Sequence, residues 1–161
     1  MIDAQQFRDE IIRPVLKLLE GRDSGANWSG QASEELVLGT TLVESQLTFL
    51  KQHGNGPALG VGQLEPDTIH DIVENYIRYR TGLQQVLDLI QPVWPITPAA
   101  VKGNLYLTVF FIRVHYRRAP QPLPQAGDIE AMGNYWKKFY NTHLGKGTVN
   151  KYVEAWNLVH K

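Results

Sequence analysis

The run Leu36-Val37-Leu38-Gly39-Thr40-Thr41-Leu42-Val43-Glu44-Ser45-Gln46-Leu47-Thr48-Phe49-Leu50 contains a single ionisable side chain, Glu44. At 100° per residue, its apolar side chains cover most of the circumference of a helix. A helix of this kind usually lies at the centre of its domain. We therefore predict a helix from Ser33 to about Lys51 and expect it to be the most buried helix of the protein.

Glu44 falls on a narrow stripe of this helix that carries threonines and no charge. No cationic side chain stands three or four residues away, so the helix itself offers Glu44 no ion pair. Poor solvation would raise the pKa of the carboxyl, as a general acid working near neutral pH requires. The alternative is a glutamate at the rim, paired with an arginine from elsewhere, such as Arg113. The helical pattern alone leaves both interpretations open.

Apolar residues recur at helical spacing along the rest of the chain, and caps, prolines and glycines divide it. The predicted helices run from Asp3 to Gly21 with a kink or break at Pro14, from Pro66 to Tyr79, from Leu83 to Ile90, from Thr97 to Arg118, from Asp128 to Tyr140 and from Thr148 to His160. The Gly-rich segment His53–Gly62 is a loop that could form a small hairpin. One proline-rich connector, with Pro92, Pro95 and Pro98, lies around the predicted cap Thr97, and a second, with Pro120, Pro122 and Pro124, follows Arg118. The predicted class is all-α.

Composition limits the classes of protein further. The 161 residues fit one domain, 1–161, and 43% hydrophobic with 20% charged residues is ordinary for a soluble globular chain. The absence of cysteine excludes disulfides, a thiol nucleophile and cysteine-bound zinc. No apolar run approaches the ~18–20 residues of a membrane span.

Charge is distributed unevenly along the chain. Residues 1–99 carry seven Lys/Arg and thirteen Asp/Glu, whereas residues 100–161 carry nine and three. Two explanations stay open: the two halves complement each other within the fold, or a basic face meets an anionic polymer such as nucleic acid or a carboxylated glycan.

Three motifs follow one another in the order Glu44-Ser45, then Ala58-Leu59-Gly60-Val61-Gly62-Gln63-Leu64-Glu65-Pro66-Asp67-Thr68, then Phe139-Tyr140-Asn141 with a glycine-containing turn to Gly147. Together they resemble the catalytic-domain signature of the lytic transglycosylases, in the lysozyme-like superfamily. That signature reads Glu-Ser, a loop, Gly-Ala-x-Gly-Leu-Met-Gln, Pro-x-Thr and later Ala-Tyr-Asn-Ala-Gly-Pro-Gly. Two positions depart from it, since Pro57 replaces the first glycine and Gly62 replaces the methionine that should line the cleft.

The resemblance implies a lysozyme-like helical domain with a substrate groove between the His53–Pro66 and Tyr140–Gly147 loops. It implies a lytic transglycosylase that breaks the MurNAc-GlcNAc β-1,4 bond of peptidoglycan glycan strands without a cofactor or metal. Glu44 would be the sole acid and base, and substrate contacts are expected from Ser45, Gln63, Tyr140 and Asn141. Tyr140 would hydrogen-bond Glu44, and its second interpretation is a core tyrosine with a solvated hydroxyl. Ser45 and Gln63 have a second interpretation as tethers of the loop.

The Trp136-Lys137-Lys138-Phe139 context, the small size and an N-terminus without a signal peptide look more like a phage version. That likeness implies a virion-associated protein, or one made in the host cytoplasm and delivered to the periplasm, with other virion proteins as further partners. We expect no membrane partner. We also expect no nucleic acid, because Arg117-Arg118 and Lys137-Lys138 lack an aromatic platform, helix-turn-helix spacing or a zinc pattern.

Two other functions remain candidates. One is a hydrolytic muramidase on the same fold, with Glu65 as helper, and the other is a non-catalytic virion or wall-binding protein. Asp67 and Asp71 are interpreted as helix acids that complement the dipole, and the Asp67–His70–Asp71 face as hydrated surface rather than a metal site. His143 is expected at the rim of the groove.

Overall fold

The computed structural model describes residues 1–92, 96–142 and 145–161. In this part of the chain the secondary structure is all-α, as predicted, without a strand. The helices are α1 (Ala4–Phe7), a π-helical turn (Arg8–Ile12), α2 (Arg13–Arg22), α3 (Gln31–Ser45), α4 (Pro66–Asn75), a 3₁₀ turn (Ile77–Tyr79), α5 (Thr81–Ile90), α6 (Ala100–Gly103), α7 (Leu105–Arg117), α8 (Ile129–Trp136), a second π-helical turn (Lys137–Asn141) and α9 (Val149–Val159). None of the described helices is long and apolar enough to span a membrane.

The first helix begins as predicted, because the Asp3 carboxylate accepts a hydrogen bond of 2.9 Å from the backbone N–H of Gln6. The predicted kink at Pro14 takes another form. Pro14 lies in the first turn of α2, and the π-helical turn Arg8–Ile12 comes directly before it. A proline ring clashes with the carbonyl four residues earlier, here that of Glu10, and the wider π turn relieves this clash without ending the helix.

Two helices share the centre of the fold. In α3 every residue from 33 to 42 is buried, and in α7 every residue from 107 to 114 is buried. The two are joined by a hydrogen bond of 2.8 Å between the hydroxyls of Thr40 and Tyr116. The helix that carries Glu44 is therefore central, as predicted, but α7 is equally enclosed. One apolar cluster around the pair extends from Phe7 near the N-terminus to Trp156 in α9.

The predicted end of the central helix at Lys51 is wrong. α3 ends at Ser45, since Gln46 and Leu47 adopt left-handed backbone conformations with φ of 54° and 52°. Leu47 is only 2% exposed and its carbonyl accepts the N–H of Ile2 at 3.0 Å, so tertiary contacts offset the cost of this conformation. Glu44 consequently sits in the last turn of the helix, at the edge of the core.

The helix predicted from Thr97 to Arg118 is divided in two at Asn104, which has extended backbone angles. Its side-chain oxygen accepts the N–H of Leu107 at 3.0 Å, and its amide donates to the carbonyl of Ile90 at 3.1 Å. This cap competes with a continuous helix and starts α7 afresh. Pro95, in the predicted connector before α6, lies outside the described residues.

The last two helices have the caps that the sequence predicts. Asp128 accepts the N–H of Ala131 at 3.0 Å, and Thr148 accepts the N–H of Lys151 at 3.2 Å. In place of the predicted hairpin, the Gly-rich segment forms two isolated bridges, Lys51 with Leu59 and Leu59 with Leu64. This loop and the π-helical turn after α8 both approach the end of α3.

Candidate active site

A groove passes over the end of α3 and has two lobes. The loop lobe, of about 470 Å³, is lined by Gln52, Ala58, Gln63, Leu64, Glu65, Thr68, His115, Tyr140, Thr142 and Gly145. The helix lobe, of about 390 Å³, is lined by Leu42, Val43, Gln46, Trp136, Lys146, Gly147, Lys151, Glu154, Ala155 and Leu158. Glu44 and Asn141 line both lobes, so they stand at the junction between them. The walls of the loop lobe come from the two predicted loops; the predicted rim residue His143 lies outside the described residues.

The Glu44 carboxyl is partly buried at the junction of the two lobes. Among the described residues, no cation and no hydrogen-bond donor contacts it. Burial raises the pKa of Glu44 from 4.5 to about 7. A carboxyl with this pKa retains its proton close to neutral pH and can deliver it to a ligand in the groove.

The alternative ion pair between Glu44 and Arg113 is wrong. The Arg113 guanidinium instead donates from Nε to the carbonyl of Trp28 at 3.0 Å and from Nη2 to that of Asn27 at 2.9 Å. These acceptors belong to the segment that leads into α3, at the opposite end of that helix from Glu44. Within the part of the chain that the structure describes, the Glu44 carboxyl at the groove therefore has no ion-pair partner.

Ser45 is buried, at 1% exposed, and lies outside both lobes. Its hydroxyl is 2.6 Å from the carbonyl oxygen of Val61 and 3.2 Å from that of Thr41. The predicted contact of Ser45 with substrate thus disagrees with its position, because the hydroxyl is used to attach the Gly-rich loop to α3. Of the two interpretations of Ser45, the structure supports the tether.

Gln63 both tethers the loop and faces the groove. Its backbone is left-handed, with φ of 50°, and its side-chain amide donates to the carbonyl of Gly60 at 3.0 Å. The side-chain oxygen receives no hydrogen bond from any described residue. An amide held at its nitrogen in this way presents a fixed acceptor to the loop lobe.

Tyr140 does not make the predicted hydrogen bond to Glu44. Its hydroxyl donates to the carbonyl of Gly62 at 2.5 Å, and its ring stacks on that of Tyr116 with 5.3 Å between centroids. A Cβ at Gly62 would lie 2.6 Å from Cδ1 of Ile112 and 3.0 Å from the Tyr140 hydroxyl. The space beside this backbone is already filled, which explains why glycine stands where the transglycosylase signature has methionine.

Asn141 is held at the junction by Lys137. The Lys137 ammonium donates to Oδ1 of Asn141 at 2.7 Å and to the carbonyl of Gly145 at 3.0 Å. Oδ1 is thereby occupied, and the Asn141 amide nitrogen has no acceptor among the described residues. Lys137 is therefore a positioning residue of the site.

Among the acids after the loop, Glu65 is exposed and lines the loop lobe together with Glu44. Asp67 is exposed in the first turn of α4, as predicted. Asp71 forms an ion pair of 2.6 Å with Arg118 and accepts a hydrogen bond from Asn75, which together lower the pKa of its carboxyl. No group of three or more acidic or histidine side chains among the described residues is arranged to hold a metal ion.

Two residues that line the groove were not predicted from the sequence. His115 lines the loop lobe with its ring edge-on to Tyr140, 5.4 Å between centroids, and burial lowers its pKa from 6.5 to about 4. Trp136 lines the helix lobe, and its buried indole N–H has no acceptor among the described residues. The signal for His115 was a titratable ring within the run 109–116, in which Arg113 is the other charged or titratable residue besides Tyr116. Nothing in the sequence distinguished Trp136 from a core tryptophan.

Ion pairs between the described residues compensate only a small part of the uneven charge distribution along the chain. Arg118–Asp71 joins the basic and acidic parts of the chain, whereas the other ion pairs found among the described residues connect partners within residues 1–99. The exposed Lys146 and Lys151 line the helix lobe beside Glu154. This end of the groove therefore offers cations to a ligand.

Comparison with protein-family models, with curated proteins and with solved structures gives no significant match.

Proposed function

We propose that this protein is a peptidoglycan-cleaving lytic transglycosylase on a lysozyme-like helical fold, with Glu44 as acid and base. The observation that carries the proposal is the position of Glu44. It is a carboxyl of raised pKa, without a described counter-ion, at the junction of two groove lobes. A glycosidic bond lying over this junction would have sugars on both sides and the acid beneath its oxygen.

In the proposed reaction, Glu44 donates its proton to the glycosidic oxygen as the bond from that oxygen to C1 of MurNAc breaks. The transition state has oxocarbenium character. The ionised Glu44 then removes the proton of the muramic 6-hydroxyl, whose oxygen bonds to C1 and closes a 1,6-anhydro ring. The proton returns to Glu44, so one carboxyl is sufficient and water is not consumed.

Several groups around Glu44 suit such a ligand. Gln63 and Asn141 line the groove, and the Gln63 side-chain oxygen and the Asn141 amide nitrogen would hydrogen-bond hydroxyl or acetamido groups without adding charge. Lys146 and Lys151 would attract the carboxylates that the wall polymer carries. We further propose, from the likeness to phage versions, that the protein acts in or from a virion.

A second candidate, the hydrolytic muramidase, is favoured by one observation. Glu65 lines the same lobe as Glu44, so a second carboxylate faces the reaction site. In that scheme Glu65 would activate a water molecule and the product would have an ordinary reducing end. The single-acid scheme is preferred because the motifs around Glu44 resemble those of transglycosylases.

The acid is tested by Glu44→Gln, which keeps the shape of the side chain but has no proton to deliver. We expect wall-clearing activity on zymograms to fall by about 10²–10⁴-fold or more. Glu154→Gln is the matched control, since it makes the same change at an exposed carboxylate of the same groove. Undiminished activity of Glu44→Gln would show that the acid lies elsewhere, and inactive wild-type protein would favour the non-catalytic alternative.

Digestion of purified wall in ¹⁸O-labelled water separates the two enzymatic candidates. The transglycosylase gives unlabelled 1,6-anhydromuramic ends, and Glu65→Gln changes its rate little. Intramolecular attack can outcompete water because a well-oriented hydroxyl has an effective concentration of ~10⁵ M or more. Label at the new muramic ends, together with an inactive Glu65→Gln, would establish the hydrolase instead.

A further inference from the structure

A separate pocket of about 450 Å³ opens at the start of α3, between residues 27–33 and the proline-rich residues 119–126. It shares no lining residue with either lobe of the groove. Its floor contains Arg113 and Arg117, which are one helical turn apart on α7, and one wall contains Pro122, Leu123 and Tyr135. No acidic side chain is among the described residues that line it.

Arg113 is a buried cation without a carboxylate partner. It is 2% exposed and its two hydrogen bonds go to backbone carbonyls, while Nη1 has no acceptor among the described residues. Arg117 forms no ion pair within the described part of the chain. Both guanidinium groups lie near the Trp28 ring, 5.2 Å and 5.7 Å from its centroid, so two positive charges are held close together.

The N-terminus of α3 meets these arginines. The hydroxyl of Ser33, in its first turn, donates to the carbonyl of Trp28 at 2.7 Å, which is the same oxygen that Arg113 Nε contacts. Gly30 precedes the helix and supplies no side-chain cap, and the N–H groups of Gln31 and Ala32 have no acceptor among the described residues. A helix start is the positive end of the helix dipole, and the acid of its first turn, Glu34, is paired with Arg8 and Arg13 instead of these arginines. An anion at this juxtaposition would therefore be stabilised.

Glu20 is the acid whose field reaches Arg113. Its carboxylate is bonded elsewhere, to the N–H of Trp28 at 3.2 Å and to the hydroxyl of Ser29 at 3.0 Å. It therefore does not occupy the pocket. Burial, followed by the charge of Arg117, lowers the pKa of Arg113 to about 10, consistent with a cation that lacks compensation.

We propose that this pocket binds a phosphate ester, with the phosphate between Arg113, Arg117 and the first N–H groups of α3. Guanidinium forks and helix N-termini both match phosphate oxygens. A bare phosphate would leave much of the pocket empty, and Pro122, Leu123 and Tyr135 offer the organic part of the ligand an apolar wall. The site is independent of the glycosidic reaction proposed for the groove.

The test is a titration of the ¹⁵N-labelled full chain with glycerol 3-phosphate, inorganic phosphate, acetate and glycerol at constant ionic strength. We expect saturable shifts of the Gln31 and Ala32 amide signals with glycerol 3-phosphate, weaker binding of inorganic phosphate and none of acetate or glycerol. Arg117→Gln should raise Kd on the order of tenfold, as expected for a charged hydrogen bond. The matched control is Arg118→Gln, which makes the same change at the adjacent residue, where the guanidinium faces Asp71.

Arg113→Lys retains the charge but removes the fork, and we expect it to abolish binding in protein shown to be folded by its spectrum. If Arg113→Lys does not fold, the Kd values of Arg117→Gln and Arg118→Gln decide whether the proposal holds. Absence of shifts at Gln31 and Ala32 would overturn the proposal, as would equal Kd values for the two variants. Equal or tighter binding of inorganic phosphate or acetate would overturn the assignment to a phosphate ester.

Discussion

The Ser45 hydroxyl donates a hydrogen bond of 2.6 Å to the carbonyl of Val61, and Ser45 directly follows Glu44. The next carbonyl along the loop, that of Gly62, accepts the Tyr140 hydroxyl at 2.5 Å. Two successive carbonyls of the Gly-rich loop are thereby fixed, one by the end of α3 and one by the π-helical turn after α8. The wall of the loop lobe is positioned relative to Glu44 before any ligand arrives, as a preorganised site requires.

Ser45→Ala should destabilise the protein by about 1–3 kcal/mol, because it leaves the buried carbonyl of Val61 without its donor. Chemical denaturation measures the change, and amide exchange of residues 58–64 should accelerate as the loop loosens. Thr48→Ala is the control, since it removes an exposed hydroxyl that contacts only the neighbouring Gln46 carbonyl. Equal stability of the two variants would show that the Ser45 bond does not hold the loop.

Gly62→Ala should cost about 1–3 kcal/mol, because the new methyl would lie 2.6 Å from Cδ1 of Ile112. It should also lower wall-clearing activity, since the Tyr140 hydroxyl must move away from the loop. Gly103→Ala is the matched control, as a Cβ at that position meets no atom within 4 Å. A Gly62→Ala variant with the stability and activity of the wild type would show that the loop can accommodate a methyl group at this position.

The stability of the wild type relative to Glu44→Gln should depend on pH. The folded pKa of about 7 is above the ordinary 4.5, so the folded state binds more protons between these values. The contribution of Glu44 to stability is therefore fully present below pH 4.5. It decreases as pH rises towards 7, by up to about 3 kcal/mol. Denaturation of both proteins at pH 4 and pH 8 measures this difference. The matched control is Glu65→Gln, which makes the same change at an exposed carboxylate of the same groove. A pH-independent difference between the wild type and Glu44→Gln would contradict a buried carboxyl.

His115 should make stability depend on pH in the opposite direction to Glu44. Burial lowers its folded pKa from 6.5 to about 4, so the unfolded chain binds more protons in that window. Stability is lost as pH falls from 6.5 to 4, by up to about 3 kcal/mol, and His115→Gln should remove this part of the acid sensitivity. Denaturation of the wild type and His115→Gln at pH 7 and pH 4.5 measures this difference. The control is His70→Gln, which replaces an exposed ring on α4. Identical acid sensitivity of the two variants would refute this expectation.

The helices were predictable where their signals are local. Asp3, Asp128 and Thr148 cap the helices that follow them through hydrogen bonds to residues three positions ahead. Predictions failed at helix ends set by distant contacts. α3 stops at Ser45 because Leu47 is buried and bonded to Ile2, and α7 begins afresh because Asn104 also reaches Ile90.

The sequence by itself determined the all-α class and the position of Glu44 as a lone ionisable side chain in an apolar helix, because hydrophobic periodicity and the spacing of charges are properties of adjacent residues. That Glu44 is buried without a partner among the described residues was decided by the tertiary structure. Only the tertiary structure decided the partners of the other site residues. Arg113 bonds a carbonyl 85 residues away instead of Glu44, and Tyr140 bonds one 78 residues away. Such bonds depend on how the helices pack, and a buried donor takes whichever acceptor that packing brings within reach.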